Sequence, residues 1–333
     1  MKILIATGIY PPEIGGPAEY AKNLGDTWAS QGHEVIVKIF GRFRKVPWGI
    51  RHIVFLLYIL PAVAKADYIL GLDSFSAGVV VVAAKLFGKK VIFRTGGDAL
   101  WESYVERTGD LVLLKDFYQK RIGKLSPKEK ITFYLTRWAL RNLAAIVWST
   151  EWQKNIFMKP YGLEKQRHFI VENYYGSKLP SHRPSTTNFV AATRKLKWKN
   201  ADLVEKAFRE GGVAEAGGLL DTATVPHDAF LEKLASSYAV IIASLGDISP
   251  NTILDAIRLD KPFILTRENG LSPRIKDIGL FVDPQDPKDI AEKARWLLDP
   301  ANYEAKRSQI VRFTFTHTWE DMAREYLDIW QSL

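Results

Sequence analysis

A loop near the middle of the chain carries four cationic side chains within six residues, beginning at Arg194 and ending at Lys199. It lies between an apolar run that predicts a strand, residues 189–192, and a stretch that predicts a helix, residues 201–209. Like charges at this spacing repel one another unless solvent or an anion screens them. A diphosphate would screen them, because the Arg194 guanidinium can bind two phosphate oxygens and the Lys199 ammonium adds a point charge. The pattern therefore predicts a diphosphate site, and a solvated loop is the alternative.

Two carboxylates lie further along the chain in a similar position. Asp247 follows the predicted strand 240–244, and Asp255, eight residues later, lies in the predicted helix 252–259. This spacing can place both carboxylates on one side of a strand-loop-helix unit, where they suit the hydroxyl groups of a ligand. For Asp247 the alternative is a turn or helix-capping role. The residues of this segment that we predict to bind a donor molecule are Asp247, Ser249, Asn251, Thr252 and Asp255.

Two glycine pairs follow predicted strands in the first half of the chain. Gly15 and Gly16 precede the predicted helix 18–31, where they would let backbone amides approach a phosphate; a tight turn is the alternative. The second pair, residues 96 and 97, follows the predicted strand 91–94 together with charged groups and an aromatic side chain. Such a cluster at the carboxyl end of a strand favours a functional site. The candidates beside these glycines are Glu13, Asp98, Trp101 and Glu102.

The elements that must position these residues follow from hydrophobic periodicity. Short β-branched runs alternate with amphipathic stretches, which is typical of βαβ units on a parallel sheet. A polar segment, 176–187, predicts a linker, so we predict Rossmann-like domains at 1–175 and 188–315, and a helix in 316–333 that packs back across the domains. The predicted strands are 2–7, 35–40, 68–72, 91–94, 145–149, 169–171, 189–192, 240–244, 263–266 and 280–282.

Composition excludes several classes of protein. The chain has 333 residues, 47% of them hydrophobic, and no cysteine. It is therefore a folded protein without disulfides, thiolate metal sites or thiol catalysis, and we predict a cytoplasmic location. The net charge is +9, and residues 1–175 hold 25 basic and 15 acidic side chains. Such an excess of positive charge attracts a phosphorylated ligand, a nucleic acid or an anionic membrane. The sequence contains no recognisable nucleic-acid-binding module, so we predict no nucleic-acid partner.

Two segments in the first half of the chain have sequences that are relevant to membrane binding. The longest apolar run, residues 53–64, contains Pro61 and is shorter than the roughly 20 residues of a membrane span. We predict a buried helix there, with an interfacial element as the alternative. Residues 115–141 hold eight basic and two acidic side chains interleaved with aromatic ones. This pattern predicts a surface that rests on anionic lipid, and a solvated helix face is the alternative.

Taken together, these segments resemble glycosyltransferase family four, whose members are retaining, nucleotide-sugar-dependent enzymes of the GT-B architecture. The resemblance spans nearly the whole chain. Its motifs here are the loop 11–16, the segment 32–37, Arg194 with Lys199 five residues later, the frame of Asp247, Asp255 and Ala256, and the segment 261–264. This chain has aspartate where the family has two motif glutamates. It also lacks the usual glycine-rich loop between residues 209 and 227.

The resemblance implies two Rossmann-like domains facing across a cleft, with the acceptor in the N-terminal domain and the nucleotide sugar in the C-terminal one. Arg194 and Lys199 would hold the donor diphosphate, Asp247 the transferred sugar and Asp255 the ribose. Asp98 is the nearest polar substitute for the family's active-site histidine. The implied catalytic set is Asp98, Arg194, Lys199 and Asp247, and the implied acceptor side is Glu13, Trp101 and Glu102.

The implied activity is a hexosyltransferase-type transfer from a UDP- or GDP-sugar, with retention of configuration, to a lipid-linked glycan or polysaccharide precursor of the cell envelope. The sequence has no D-x-D motif of the kind that metal-dependent glycosyltransferases use, so we predict neither a metal nor another cofactor. The expected location is the cytoplasm, with peripheral attachment to the inner face of the cell membrane. The alternatives are a GT-B-fold sugar-nucleotide epimerase and a non-catalytic sugar-nucleotide-binding protein.

Overall fold

The computed structural model describes residues 1–13, 15–72, 74–191, 195–225 and 227–333. The contacts within the chain divide it into two compact units. The segment Trp101–Gly123 falls in the second unit although the sequence places it in the first predicted domain, because position along the chain does not reveal where its buried side chains pack. Unit 1 comprises Met1–Leu100, Lys124–Asn173 and His317–Leu333, and unit 2 comprises Trp101–Gly123 and Tyr174–Thr316.

Unit 1 contains a six-stranded sheet in the order β2-β1-β3-β4-β5-β6, in which every neighbouring pair is parallel. β1, β3 and β5 are almost entirely buried, which explains why their sequences read as continuous apolar runs. The strands are β1 (Lys2–Thr7), β2 (Glu34–Ile39), β3 (Tyr68–Gly71), β4 (Ile92–Arg94), β5 (Ala145–Trp148) and β6 (His168–Ile170).

The helices of unit 1 include the last helix of the chain, which packs on the first one. Trp28 donates from Nε1 to the Ala323 carbonyl at 3.2 Å, and the hydroxyls of Tyr20 and Tyr326 lie 3.0 Å apart. The Trp330 ring stacks on Tyr68 with the centroids 4.6 Å apart. These helices are α1 (Gly16–Ser30), α2 (Trp48–Lys65), α3 (Ser74–Leu86), α6 (Pro127–Leu140), α7 (Glu151–Tyr161) and α14 (Trp319–Ser332).

Unit 2 contains a five-stranded parallel sheet in the order β11-β10-β9-β7-β8. Apolar clusters cover this sheet, one of them built around Ile253, Phe263 and Leu265 and the other around Phe189, Ile241 and Ile264. The carboxyl ends of parallel strands meet at one edge, so the loops that follow β7, β9 and β10 lie together. The strands are β7 (Asn188–Val190), β8 (Leu219–Asp221), β9 (Ala239–Ile242), β10 (Phe263–Thr266) and β11 (Leu280–Val282).

The helices of unit 2 begin with α4, whose first two residues are the last of unit 1. α12 packs on α8 and on α13, and α10 packs on α9. The helices are α4 (Ala99–Thr108), α5 (Leu114–Lys120), α8 (Ala201–Glu210), α9 (His227–Ser236), α10 (Asn251–Arg258), α11 (Ser272–Ile275), α12 (Pro287–Leu298) and α13 (Pro300–Val311).

The two parallel sheets with flanking helices confirm the predicted α/β class. Every predicted strand is present with its ends shifted by two residues at most, and residue 192, the predicted end of one strand, lies outside the described residues. β8, α4, α5, α11 and α13 were not predicted. β8 has only three residues, and α13 carries little apolar periodicity, so neither produces a clear pattern in the sequence.

The predicted helix at residues 53–64 is confirmed, but the prediction that it is buried is wrong. α2 is exposed along one face, where Ile53 and Leu57 are 62% and 64% exposed, while Phe55, Ile59 and Val63 bury the opposite face in unit 1. By length and composition α2 is also long and apolar enough to cross a membrane, and it is the one such helix among the described residues.

The predicted linker, residues 176–187, contacts unit 2 through two lysines. Lys178 donates from Nζ to Asp260 Oδ1 at 2.7 Å and to the carbonyls of Ile257 and Ile310. Lys261, which is 1% exposed, donates to the His182 carbonyl at 2.7 Å. This segment is therefore held to the rest of unit 2 at residues 178 and 182 by the hydrogen bonds of an exposed and a buried lysine.

We expect Lys261 to make stability depend on pH. Burial, with a contribution from Arg307, lowers the pKa of Lys261 from 10.5 to about 8. Between pH 8 and pH 10.5 the Lys261 side chain is therefore protonated in the unfolded chain and mostly neutral in the folded one. The free energy of unfolding rises with pH across this window, because the unfolded state binds more protons. Relative to Lys261→Met, the wild-type free energy of unfolding should increase by up to about 3 kcal/mol from below pH 8 to above pH 10.5. Urea unfolding of both proteins on either side of the window measures this, and parallel pH profiles would contradict it.

Candidate functional site

The structure joins two of the predicted site residues in one ion pair. Lys199 Nζ lies 2.7 Å from Asp247 Oδ2, and the two side chains are 15% and 12% exposed. The ammonium also lies 4.2 Å from the centre of the Trp198 ring, and Ser244 Oγ donates to the same carboxylate oxygen at 3.1 Å. Asp247 therefore holds the Lys199 ammonium in a fixed place beside the carboxyl ends of β7 and β9.

The backbone after β7 positions Lys199 through a buried asparagine. Residues Lys197–Lys199 form a single 3-10 turn, and Asn200 follows in the left-handed conformation with φ 60°. Asparagine adopts this conformation more readily than most residues. Its side-chain amide donates to the carbonyls of Ala243 at 3.0 Å and Pro284 at 2.6 Å. Residues 195–200, which we call the lysine loop, are thus attached to the ends of β9 and β11, and this attachment positions Lys199.

The loops after β9 and β10 contact each other at Asp247. Asp247 N donates to the Glu268 carbonyl at 2.9 Å, and Gly270 N donates to the Ile248 carbonyl at 3.0 Å. Asn269 organises the second loop, because its Oδ1 accepts from the backbone amides of Leu271 and Ser272, both at 2.9 Å. Asp247 is therefore positioned both by backbone hydrogen bonds between the two loops and by its ion pair with Lys199.

Glu268 is a buried carboxylate of this site that the sequence reasoning did not single out. It is 6% exposed, and one of its oxygens forms an ion pair with Lys115 of α5. The other oxygen, Oε2, is buried and has no hydrogen-bond partner among the residues that the structure describes. Trp198 Nε1 is also buried and has no hydrogen-bond acceptor among the residues that the structure describes. The site therefore offers one acceptor and one donor beyond the Lys199–Asp247 pair.

The segment Trp101–Gly123 packs on these same loops of unit 2. Glu106 Oε1 accepts from the backbone amide of Lys197 at 2.7 Å, and Lys197 Nζ donates back to the Glu106 carbonyl at 2.8 Å. Leu114 N donates to the Leu245 carbonyl at 3.1 Å. A Cβ at Gly246 would lie 2.5 Å from the Leu114 Cβ, so this approach requires glycine. α4 and α5 therefore help to fix both the lysine loop and the Asp247 loop.

This packing corrects the predicted role of Trp101. The sequence analysis places Trp101 on the acceptor side, but Trp101 is 1% exposed and its Nε1 donates to the Val112 carbonyl at 2.9 Å. Its ring centre lies 5.4 Å from that of Trp198. Trp101 is therefore a packing residue beneath the lysine loop, and Glu102 lies beside it on α4, half-buried.

The remaining donor-side candidates of unit 2 lie on or just before α10. Asp255 is half-buried and pairs with Arg258 Nη1 at 3.1 Å. Asn251 is the first residue of α10 and is exposed, Thr252 follows it half-buried, and Ser249 lies in the loop before the helix. Asp247 and Asp255 thus have different cationic partners. Arg194 lies outside the described residues.

The candidate residues of unit 1 lie at the starts of α1 and α4 and in the loops before them. Gly16 is the first residue of α1, and the Gly15 carbonyl accepts from Ala18 N at 2.9 Å. Glu13 forms an ion pair with Arg44 at 2.6 Å. Asp98 is 4% exposed and its Oδ1 accepts from Leu100 N at 3.1 Å, which is the geometry of an N-cap for α4.

No protein-family model matches this chain, and none of the curated proteins matches it significantly. The solved structures do match. Sucrose-phosphate synthase from Thermosynechococcus elongatus superposes with a TM-score of 0.74 at 12% identity, over 100% of this chain and 99% of that one. The chain has the GT-B fold.

Two further solved proteins share this GT-B fold. Anabaena HepE, solved with UDP and with UDP-glucose, has a TM-score of 0.69 in both cases at 13% and 14% identity, with both chains covered completely. The lipopolysaccharide outer core galactosyltransferase WaaB has a TM-score of 0.66 at 13% identity, again over the full length of both chains. In the GT-B fold of the present chain, the Lys199–Asp247 pair lies at the carboxyl edge of the C-terminal sheet.

Proposed function

We propose that this protein is a glycosyltransferase that moves a sugar from a nucleotide-diphosphate sugar to an acceptor, with retention of configuration as in glycosyltransferase family four. The observation that carries the proposal is the Lys199–Asp247 pair, which lies at the sheet edge where α/β folds bind ligands. The GT-B fold supports it, since that fold is shared with the galactosyltransferase WaaB and with HepE, which was solved with UDP and UDP-glucose.

Lys199 is proposed to stabilise the diphosphate that leaves. Breaking the bond between the anomeric carbon and the diphosphate oxygen puts negative charge on the diphosphate, and a fixed ammonium is an effective stabiliser of such charge. Asp247, Trp198 and the Asn200 anchor hold Lys199 in place before the donor arrives, so little reorganisation is needed. Arg194, five residues earlier, is proposed as the second cation.

The transfer step itself is a substitution at the anomeric carbon. The acceptor oxygen forms the new bond on the face from which the diphosphate departs, and its proton passes to a diphosphate oxygen. We propose that this chain neutralises the diphosphate with Lys199 and Arg194 and uses no metal cofactor. Asp255, Ser249, Asn251 and Thr252 are proposed for the nucleoside part of the donor, and Gly15 and Gly16 for its phosphates.

The proposed donor is a UDP- or GDP-sugar, and the proposed acceptor is a lipid-linked glycan or a polysaccharide precursor. Exposed apolar residues on α2 of unit 1 support a substrate or partner with a hydrocarbon part. Asp98, Glu13 and Glu102 are proposed for the acceptor side. The lack of cysteine supports the cytoplasm as the compartment in which the protein works.

Calorimetric titration of UDP, GDP and ADP, and of their nucleotide sugars, tests this proposal. We expect one nucleotide to bind the wild type, and Arg194→Ala/Lys199→Ala to lose that binding. Lys195→Ala is the matched control, because Lys195 is an exposed cation of the same loop and should keep the affinity. Absence of binding to all three nucleotides contradicts the proposal. Binding without any sugar transfer or donor hydrolysis would indicate a non-catalytic sugar-nucleotide-binding protein.

A further inference from the structure

The outer face of α2 in unit 1 is uncovered and apolar. Its three most exposed large side chains are Ile50, Ile53 and Leu57, which the helical repeat places on one side. Pro61 and Ala64 continue this exposed side toward the end of the helix. A helix that is apolar on all sides is normally buried or in contact with lipid. Among the described residues of unit 1, none covers this side.

α6 of the same unit presents a second apolar stripe to the outside. Ile131, Tyr134, Leu135 and Trp138 are all exposed, at the spacing of one helix face. The opposite face of α6 is buried through Phe133, Ala139 and Leu140 and through the capping carboxylate of Glu129. Both sides of α6 therefore carry apolar residues. The outer stripe does not contribute to the packing of α6 in unit 1.

α3 lies between these two helices and packs against both. A cavity of about 270 Å³ opens among the three helices. Its walls are mostly apolar and include Trp48, Ile53, Leu56, Val82, Leu135 and Trp138. The exposed residues of α2 and the exposed stripe of α6 thus form one continuous surface, which we call the apolar face.

Cations are frequent in the segments that form the apolar face, and neither α2 nor α6 carries an exposed acid. Residues 35–66 hold six Lys and Arg residues and no Asp or Glu. Residues 124–141 hold five basic residues and a single acidic one, Glu129. Glu129 is buried, and its carboxylate accepts from the Ser126 amide at 2.7 Å. Lys128 and Lys130 are exposed on α6 next to the stripe.

We propose that the apolar face docks on an anionic lipid bilayer, with α2 and α6 lying in the plane of the interface. Apolar side chains would enter the acyl boundary, Tyr134 and Trp138 suit the headgroup level, and the surrounding cations attract acidic headgroups. α2 lies on the membrane rather than across it, because Phe55, Ile59 and Val63 hold it in unit 1. A second copy of the chain is a poorer partner, because pairing two such faces brings like charges together.

The apolar face differs from the lipid-binding surface that the sequence predicts over residues 115–141. In that segment Phe117, Tyr118 and Phe133 are buried, and residues up to Gly123 belong to unit 2. Only the part on α6 contributes to the apolar face. α2, which the sequence analysis predicts as a buried helix with an interfacial element as the alternative, supplies the other half. The inference does not depend on the proposed sugar transfer, because lipid binding is measured without donor or acceptor.

Co-sedimentation with phosphatidylcholine vesicles, with and without phosphatidylglycerol, tests the proposal. The wild type should bind the anionic vesicles at low salt, and high salt should weaken this binding. Ile53→Glu/Leu57→Glu and, separately, Leu135→Glu should each lower the partition coefficient by roughly tenfold or more. Lys128→Glu/Lys130→Glu should lower it by roughly tenfold on anionic vesicles and leave the weak binding to neutral ones unchanged.

Trp296→Glu/Val311→Glu is the matched control, because these residues are exposed apolar positions on helices of unit 2. It should bind vesicles like the wild type. Thermal unfolding and nucleotide binding of each variant check that the fold is kept. A wild type that stays in the supernatant with anionic vesicles at low salt overturns the proposal. So does an equal loss in the control, or a wild-type dimer in light scattering that the α2 and α6 variants dissociate.

Discussion

Replacing Lys199 by alanine should lower kcat/KM for sugar transfer by about 10²–10³, which makes it the largest effect on activity that we expect. One fixed donor aimed at developing charge contributes a rate factor of this size. Lys199 is well placed for it, since Asp247 and the Trp198 ring hold its ammonium in a site that is largely shielded from solvent. Steady-state kinetics with the nucleotide sugar identified by calorimetry measure the effect.

The control for Lys199 is Lys195, which lies in the same loop but is exposed. Lys195→Ala should change kcat/KM by less than about twofold, because an exposed cation is screened by solvent. Lys199→Ala also leaves the Asp247 carboxylate without its cation, so thermal unfolding must be measured beside the kinetics. A fall in kcat/KM of less than about threefold in a folded Lys199→Ala protein contradicts the assignment.

Replacing Trp101 by alanine should lower the free energy of unfolding by about 3–5 kcal/mol, which is the largest effect on stability that we expect. The indole is fully buried, packs on Trp198 and donates to the Val112 carbonyl. Its loss leaves a cavity beneath the lysine loop and a buried carbonyl without its donor. Urea unfolding measures the change, and the KM for the nucleotide sugar should rise because Trp198 and Lys199 lose their support.

Trp101→Phe separates packing from hydrogen bonding at this position. Phenylalanine keeps most of the buried volume and removes the bond to Val112, so we expect a loss of about 1–2 kcal/mol and a nearly unchanged KM for the donor. The earlier interpretation of Trp101 as an acceptor platform makes a different prediction. It requires a change in unfolding free energy below about 1 kcal/mol for Trp101→Ala together with a raised KM for the acceptor.

The fold was predictable from the sequence where buried strands produce continuous apolar runs. β1, β5 and β10 are examples, because parallel strands covered on both faces have apolar residues at nearly every position. α4 and α5 were missed because their apolar residues are interleaved with charged ones, which reads as a solvated or lipid-facing surface. The exposure of α2 was given only as an alternative, because an apolar sequence does not reveal whether another element covers it.

The candidate site was predictable only in parts. Lys199 and Asp247 were each identified from a loop after a predicted strand, without any indication that they form a pair. Glu106 and Glu268 were not identified. Glu106 bonds to a backbone amide 91 residues away, and Glu268 pairs with a lysine 153 residues away, so no local pattern marks either one.

The sequence by itself determined the α/β class, the strands and the residue types available for binding a diphosphate, because these depend on local periodicity and composition. The tertiary structure decided which of those residues act together. It paired Lys199 with Asp247, placed Glu268 beside them, buried Trp101 in the core, and left the outer side of α2 uncovered. Each of these outcomes rests on contacts between residues far apart in the chain, and such contacts form only when the whole chain is folded.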